Sequence, residues 1–120
     1  MPEQPVIYSG QQFLDHLDDT LIALSSAGVD PAGRPAHILK ALQLLRGDMM
    51  SCARAVLSPN VAERLGALCE YMCTRLHYAH VHAVDAPFTE VTRLLEDLRR
   101  AWPSLDRTRS ARPLPMRESA

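Results

Sequence analysis

The residues best placed for metal chemistry are Cys69, Cys73, His77 and His80. At 100° per residue of a helix they fall within about 80° of one another. Cysteine and histidine four positions apart can both reach one zinc ion. The four together span three helical turns, which is too long for one tetrahedral ion. Cys69 also falls on an apolar stripe, where free cysteine behaves as a small hydrophobe. Packing cysteines and surface histidines are the competing reading, and no metal or other cofactor is expected.

The remaining candidates for catalysis are sparser. Asp15, Asp18 and Asp19 cluster, but they lie off the apolar stripe of their segment, as solvated carboxylates do. The repeated Glu-x-x-His pattern of di-iron bundles is missing, since Glu70 and His77 have the wrong spacing. No glycine-rich phosphate loop is present, and Ser, His and Asp form no recognisable catalytic arrangement. The expectation is a protein that works by binding and is not an enzyme.

The elements that would position these residues are read from periodicity. Ile7, Leu14, Leu17, Leu21 and Leu24 mark a first helix from about Val6 to Ala27, stopped at Gly28 with a loop at Asp30-Pro31-Ala32-Gly33. Pro35 suits the first turn of a second helix. Its stripe is Ile38, Leu42, Leu45, Met49, Cys52 and Val56, with Gly47 inside it. Ser58-Pro59 reads as an N-cap and first-turn proline of a third helix, carrying Leu65, Cys69, Met72, Leu76 and Ala79. Pro87 opens a fourth helix with Val91, Leu94, Leu95, Leu98 and Trp102, and Pro103 is expected to end it. Short connections make neighbouring helices antiparallel. The fold class is therefore all-α, an antiparallel up-down four-helix bundle over residues 1–103. Residues 104–120 mix Arg, Pro and Ser without periodicity and are expected to form a disordered tail.

Charge limits the partners. The 120-residue chain has a net charge of −1. Its last 18 residues carry four Arg against Asp106 and Glu118, and the preceding 102 carry nine basic and twelve acidic residues. A body at −3 and a tail at +2 lack the clustered positive charge on which nucleic-acid affinity depends. No apolar run is long enough to span a membrane, and Met1-Pro2-Glu3-Gln4-Pro5 lacks the pattern of a signal peptide. Three cysteines without disulfide spacing suggest reduced thiols in the cytoplasm.

Three stretches carry a resemblance. Leu68-Cys69-Glu70-Tyr71-Met72-Cys73-Thr74-Arg75-Leu76 resembles the L-Y-x-Y-M-x-x-R-L signature on the third helix of the flagellar secretion chaperone family FliS. The run from Val91 to Trp102 is similar to that family's closing V-x-x-L-L-x-x-L-R-x-A-W pattern. Tyr8-Ser9-Gly10 looks like its Y-D-G, with Ser9 in place of the aspartate. Elsewhere Cys69 replaces a tyrosine, Ser58-Pro59-Asn60 stands where a glycine pair is usual, and family members carry a longer segment before Y-D-G.

The resemblance implies a four-helix export chaperone. It would bind the disordered C-terminal segment of flagellin in apolar grooves, prevent early polymerisation, and deliver the subunit to the flagellar export apparatus. Such binding is helix-in-groove recognition coupled to folding of the client. The residues expected to line the grooves or support their walls are Tyr8, Leu14, Leu17, Ile38, Leu42, Leu45, Tyr71, Leu95 and Trp102. Arg75 is expected to anchor a carboxylate nearby. Core packing is the alternative fate for each apolar residue. The alternative function is a FliS-like interaction module, homodimeric, that has lost flagellin and serves another partner.

Overall fold

The computed structural model describes residues 9–105, and the first eight residues and the last fifteen lie outside it. The expected tail from 106 onward, Ile7 and Tyr8 are therefore outside the described residues. Helix α1 spans Gly10–Val29. It starts later than the Val6 expected from periodicity, because Ser9 forms a capping box. Ser9 is extended, its Oγ accepts from Gln12 N at 3.1 Å, and its own N–H donates to Gln12 Oε1 at 2.9 Å. Two amide donors of the first turn are thus satisfied reciprocally.

Helix α2 covers residues 34–56 in three continuous parts: an α-helical Arg34–Gln43, a π-helical turn Leu44–Asp48, and an α-helical Met49–Val56. The wider π turn takes in one additional residue, so the consecutive Leu44 and Leu45 are both buried. Gly47 lies in this turn. Helix α3, Pro59–His82, begins with proline in its first turn. It ends on Ala83, a left-handed residue (φ 54°, ψ 45°) whose N–H donates to Ala79 O.

Helix α4 spans Ala86–Leu105. It does not end at Pro103, which sits inside its last turn. A proline there forfeits one backbone bond close to the helix end, where few bonds remain to lose. The continuation places Leu105 against the core.

Close approaches run α1–α2, α2–α3, α3–α4 and α4–α1, while the diagonal pairs approach far less. With turns this short, the chain is a four-helix bundle in ring order. Its centre holds Phe13, Leu17, Leu45, Met49, Met72, Leu76, Val91, Leu95 and Trp102, all essentially inaccessible. Thr20 is the buried polar residue of α1. Its Oγ1 donates to His16 O at 2.8 Å and approaches Met49 Sδ at 3.6 Å. At the far end, Arg34 donates to Asp85 Oδ1 and Val84 O, both at 3.0 Å, and lies 4.4 Å over the Phe88 ring. That clasp fixes the α3–α4 turn to the start of α2.

Candidate functional site

Helices packed around a filled core leave shallow seams where two rounded surfaces diverge. Two of these are substantial. The α1–α4 seam is floored by Leu21, Leu24 and Phe88 and edged by Ser25, Thr89, Thr92, Arg93 and Glu96, with a volume of about 510 Å³. The α2–α3 seam, about 490 Å³, is lined by Met50, Arg54, Pro59, Ala62, Glu63 and Gly66. Both volumes match those of sites that take several side chains of a ligand. Gly66 lies in the wall of the second seam, where an added Cβ would rest against the Met50 Cε at 3.4 Å, an ordinary contact. Cross-helix ion pairs bound each seam, Asp18–Arg99 beside the first and Arg46–Glu70 beside the second.

The α3–α4 seam is closed by polar contacts. Glu90 of α4 accepts from the Tyr71 hydroxyl with one carboxylate oxygen and from Arg75 Nε with the other, the latter at 2.7 Å. Two donors on one carboxylate hold Glu90 below the ordinary range, the Tyr71 bond contributing most. The same bond pushes the Tyr71 phenol up, because ionising it would set two anions together. Arg75 in turn lies 5.3 Å over the Tyr78 ring, and Tyr78 packs against His82. Tyr71, Arg75, Tyr78 and His82 thus form one outward strip along α3.

The sequence-derived candidates divide among these surroundings. Leu17, Ile38, Leu45, Leu95 and Trp102 are buried in the core. Leu14 and Leu42 are half-buried at its edge. Leu42 borders a smaller depression with Leu39, Gln43, Arg46 and Gly47. Tyr71 and Arg75 are brought together, with Glu90 as the carboxylate Arg75 holds. Tyr8 lies outside the described residues. None of the nine described candidates lines either large seam. Leu21 and Leu24 belong to the recognised leucine stripe, but nothing in a single helix marks them as groove rather than core. Phe88, Met50 and Gly66 gave no signal in sequence.

The four candidate metal ligands are separated by burial. Cys69 and Cys73 are buried, whereas His77 and His80 are exposed. Burial pushes the Cys69 thiol up to about 12, and those of Cys73 and Cys52 also upward. A protonated thiol is a poor metal ligand. Among the described residues no group of three or more His, Cys, Asp or Glu is arranged to hold a metal ion. No described helix is long and apolar enough to cross a membrane.

The profile of the family described as "Flagellar protein FliS" matches residues 2–109. The chain belongs to the FliS family. That membership, together with the helical bundle, makes it one of a family of export chaperones of the flagellum. No curated protein and no solved structure matches the chain.

Proposed function

We propose that this chain is a cytoplasmic chaperone that binds the disordered C-terminal segment of flagellin and delivers it to the flagellar export apparatus. The supporting observation is a family match over nearly the whole bundle on a fold that leaves two open, part-apolar seams. A segment disordered alone becomes helical by laying an apolar face into such a seam. The ordering cost offsets part of the contact energy, which keeps the complex releasable.

In this reading the ten sequence-derived residues have different parts. Leu17, Ile38, Leu45, Leu95 and Trp102 act from beneath, fixing the helices whose seams receive the client. Leu14, Leu42, Tyr71 and Arg75 stand near the surface and extend the contact. Tyr8, outside the described residues, is taken as a further client contact from the family resemblance alone.

Titration with the C-terminal peptide of flagellin from the same source tests the reading. The expected result is heat of binding together with a gain in peptide helicity by circular dichroism. No heat and no helicity change with protein at roughly tens of micromolar, which would exclude binding stronger than about −6 kcal/mol, would remove it.

A further inference from the structure

Helix α2 changes register part-way along its length. In an unbroken α-helix, residues about eleven positions apart lie within roughly 20° of one another. Leu39 and Leu42 would then line up with Met50 and Ala53. Met50 and Ala53 are buried, yet Leu39 is 55% exposed and Leu42 only half-buried. The π turn Leu44–Asp48 accounts for the difference. With its additional residue counted, Leu39 and Leu42 line up with Ser51 and Arg54, which are half-buried and exposed. The turn thus rotates Arg34–Gln43 by one residue, roughly 100°, and sets two leucines outward. There they line a depression of about 370 Å³ with Gln43, Arg46 and Gly47.

No local breaker forces this turn. No proline lies between residues 36 and 56, and a Cβ on Gly47 would stand in open space. The first part of α2 is instead held from outside. Arg34 donates to Asp85 Oδ1 and Val84 O and covers the Phe88 ring. His37 Nε2 lies 3.1 Å from Asp30 Oδ2, in the turn before the helix. A rotation by one residue would carry Arg34 and His37 away from these partners. The same rotation would bring Leu39 and Leu42 onto the face that buries Met50 and Ala53. Apolar burial therefore favours the unbroken α register, and contacts at the surface favour the π register. Such opposition is the condition for an element with two discrete arrangements.

We propose that α2 is a register switch, in which the Arg34 clasp on the α3–α4 turn holds the π turn and keeps Leu39 and Leu42 on the surface. Loss of the clasp lets Arg34–Gln43 rotate, the π turn becomes α-helical, and the depression closes. The state of the α3–α4 turn is thereby coupled to an apolar surface on another helix. This does not rest on the client-binding reading.

The test is thiol labelling of L39C in the full chain, alone and combined with R34A, with D85A, or with R34A and deletion of Gly47. Leu39 is exposed, so a cysteine there does not disturb packing. Cys52, Cys69 and Cys73 are buried and serve as internal markers of opening. L39C alone should react at the rate of a free thiol. R34A should slow it by about ten-fold, as the reactive register becomes the minor one. D85A should slow it less, because Val84 O still holds Arg34. Slowing is the signature of the switch, since mere loosening leaves labelling unchanged or speeds it. Deletion of Gly47 removes the additional residue, so L39C should stay reactive even with R34A. Unchanged or faster labelling in R34A overturns the inference. Equal slowing after Gly47 is deleted overturns it too, because the protection then has another origin. A protected L39C without further substitution would make the α register the resting one, with the same consequence. If R34A opens the bundle, the native cysteines also label, and D85A then decides by the same criterion.

Discussion

Phe13 of α1 and Trp102 of α4 stack face to face, ring centroids 3.9 Å apart and planes within 5°. Both are fully buried, and together they close the end of the bundle where α1 begins and α4 finishes. Replacing Phe13 by Ala removes one ring and leaves a cavity against the other, which costs about 3–5 kcal/mol. That is a large fraction of the roughly 5–15 kcal/mol that holds a domain of this size. F13A is expected to lower the denaturant midpoint accordingly. Trp102 is the single tryptophan, so its fluorescence reports this site directly. Unchanged stability and an unshifted emission maximum would contradict the packing described.

Phe13 also shows where sequence reading stopped. Stripes on α2, α3 and α4 were largely legible because each helix buries one face in steps of three and four: Ile38, Ala41, Leu45, Met49, Cys52 and Val56, with buried Ala41 where the sequence stripe has the half-buried Leu42, or Leu65, Cys69, Met72, Leu76 and Ala79. Helix α1 also buries one face, but largely with small and polar residues. Its buried set is Gly10, Phe13, Leu17, Thr20, Ala23, Leu24 and Ala27. Leu14 and Leu21, which are the more conspicuous in sequence, stand half-buried at the edge. Small and polar residues count as core where a large partner such as Met49 fills the space, and that partner is invisible from α1 alone. The seams were hidden for a related reason. A groove belongs to two helices at once, and whether Arg93 finds a counter-ion is decided by the neighbour it meets. The Arg75 anchor was legible as a need for a carboxylate, but Glu90 is fifteen residues away on another helix.

The turn after α3 holds Ala83 in the left-handed region at φ 54°. A Cβ in that conformation is strained by roughly 1 kcal/mol, and glycine is not. A83G keeps the N–H bond to Ala79 O while relieving the strain. The unfolded chain gains some freedom with glycine, so the net gain is below the strain itself. The expected outcome is a rise in melting temperature of a few degrees, about 2–5 °C. A fall would mean that Ala83 is not strained in solution.

Three buried cysteines make the core chemically readable. The Cys69 thiol is held up at about 12, and burial raises those of Cys52 and Cys73 too. Thiolate is the reactive form, so an aromatic disulfide reagent at pH about 8, below even the free-thiol value, should label none of the three until the bundle opens. The labelling rate should then follow opening of the core and increase sharply in F13A. Immediate reaction of one thiol in the native protein would place that cysteine at the surface.

Tyr71, Glu90 and Arg75 give the bundle a pH dependence whose sign can be derived. The two donors hold the Glu90 carboxyl below its ordinary 4.5, so the folded chain binds that proton more weakly than the unfolded chain. Its stabilising contribution is therefore present above about pH 4.5 and is lost as pH falls through the lower folded value. Tyr71 behaves in the opposite sense. Its phenol is raised from 10.0, so its contribution is present below pH 10 and is lost as pH rises through the folded value. Asp30, lowered chiefly by its bond to His37, adds a separate acid-side dependence. It is common to wild type and any Glu90 variant, and cancels between them. Glu90→Gln keeps the shape and removes the charge. The melting temperatures of wild type and E90Q should therefore be furthest apart near neutrality and converge as pH drops toward about 3, below the free carboxyl range. The cluster is solvent-facing, so about 1 M salt should narrow the gap at neutral pH. Parallel curves across the acid range would mean that Glu90 does not hold Tyr71 and Arg75 in solution.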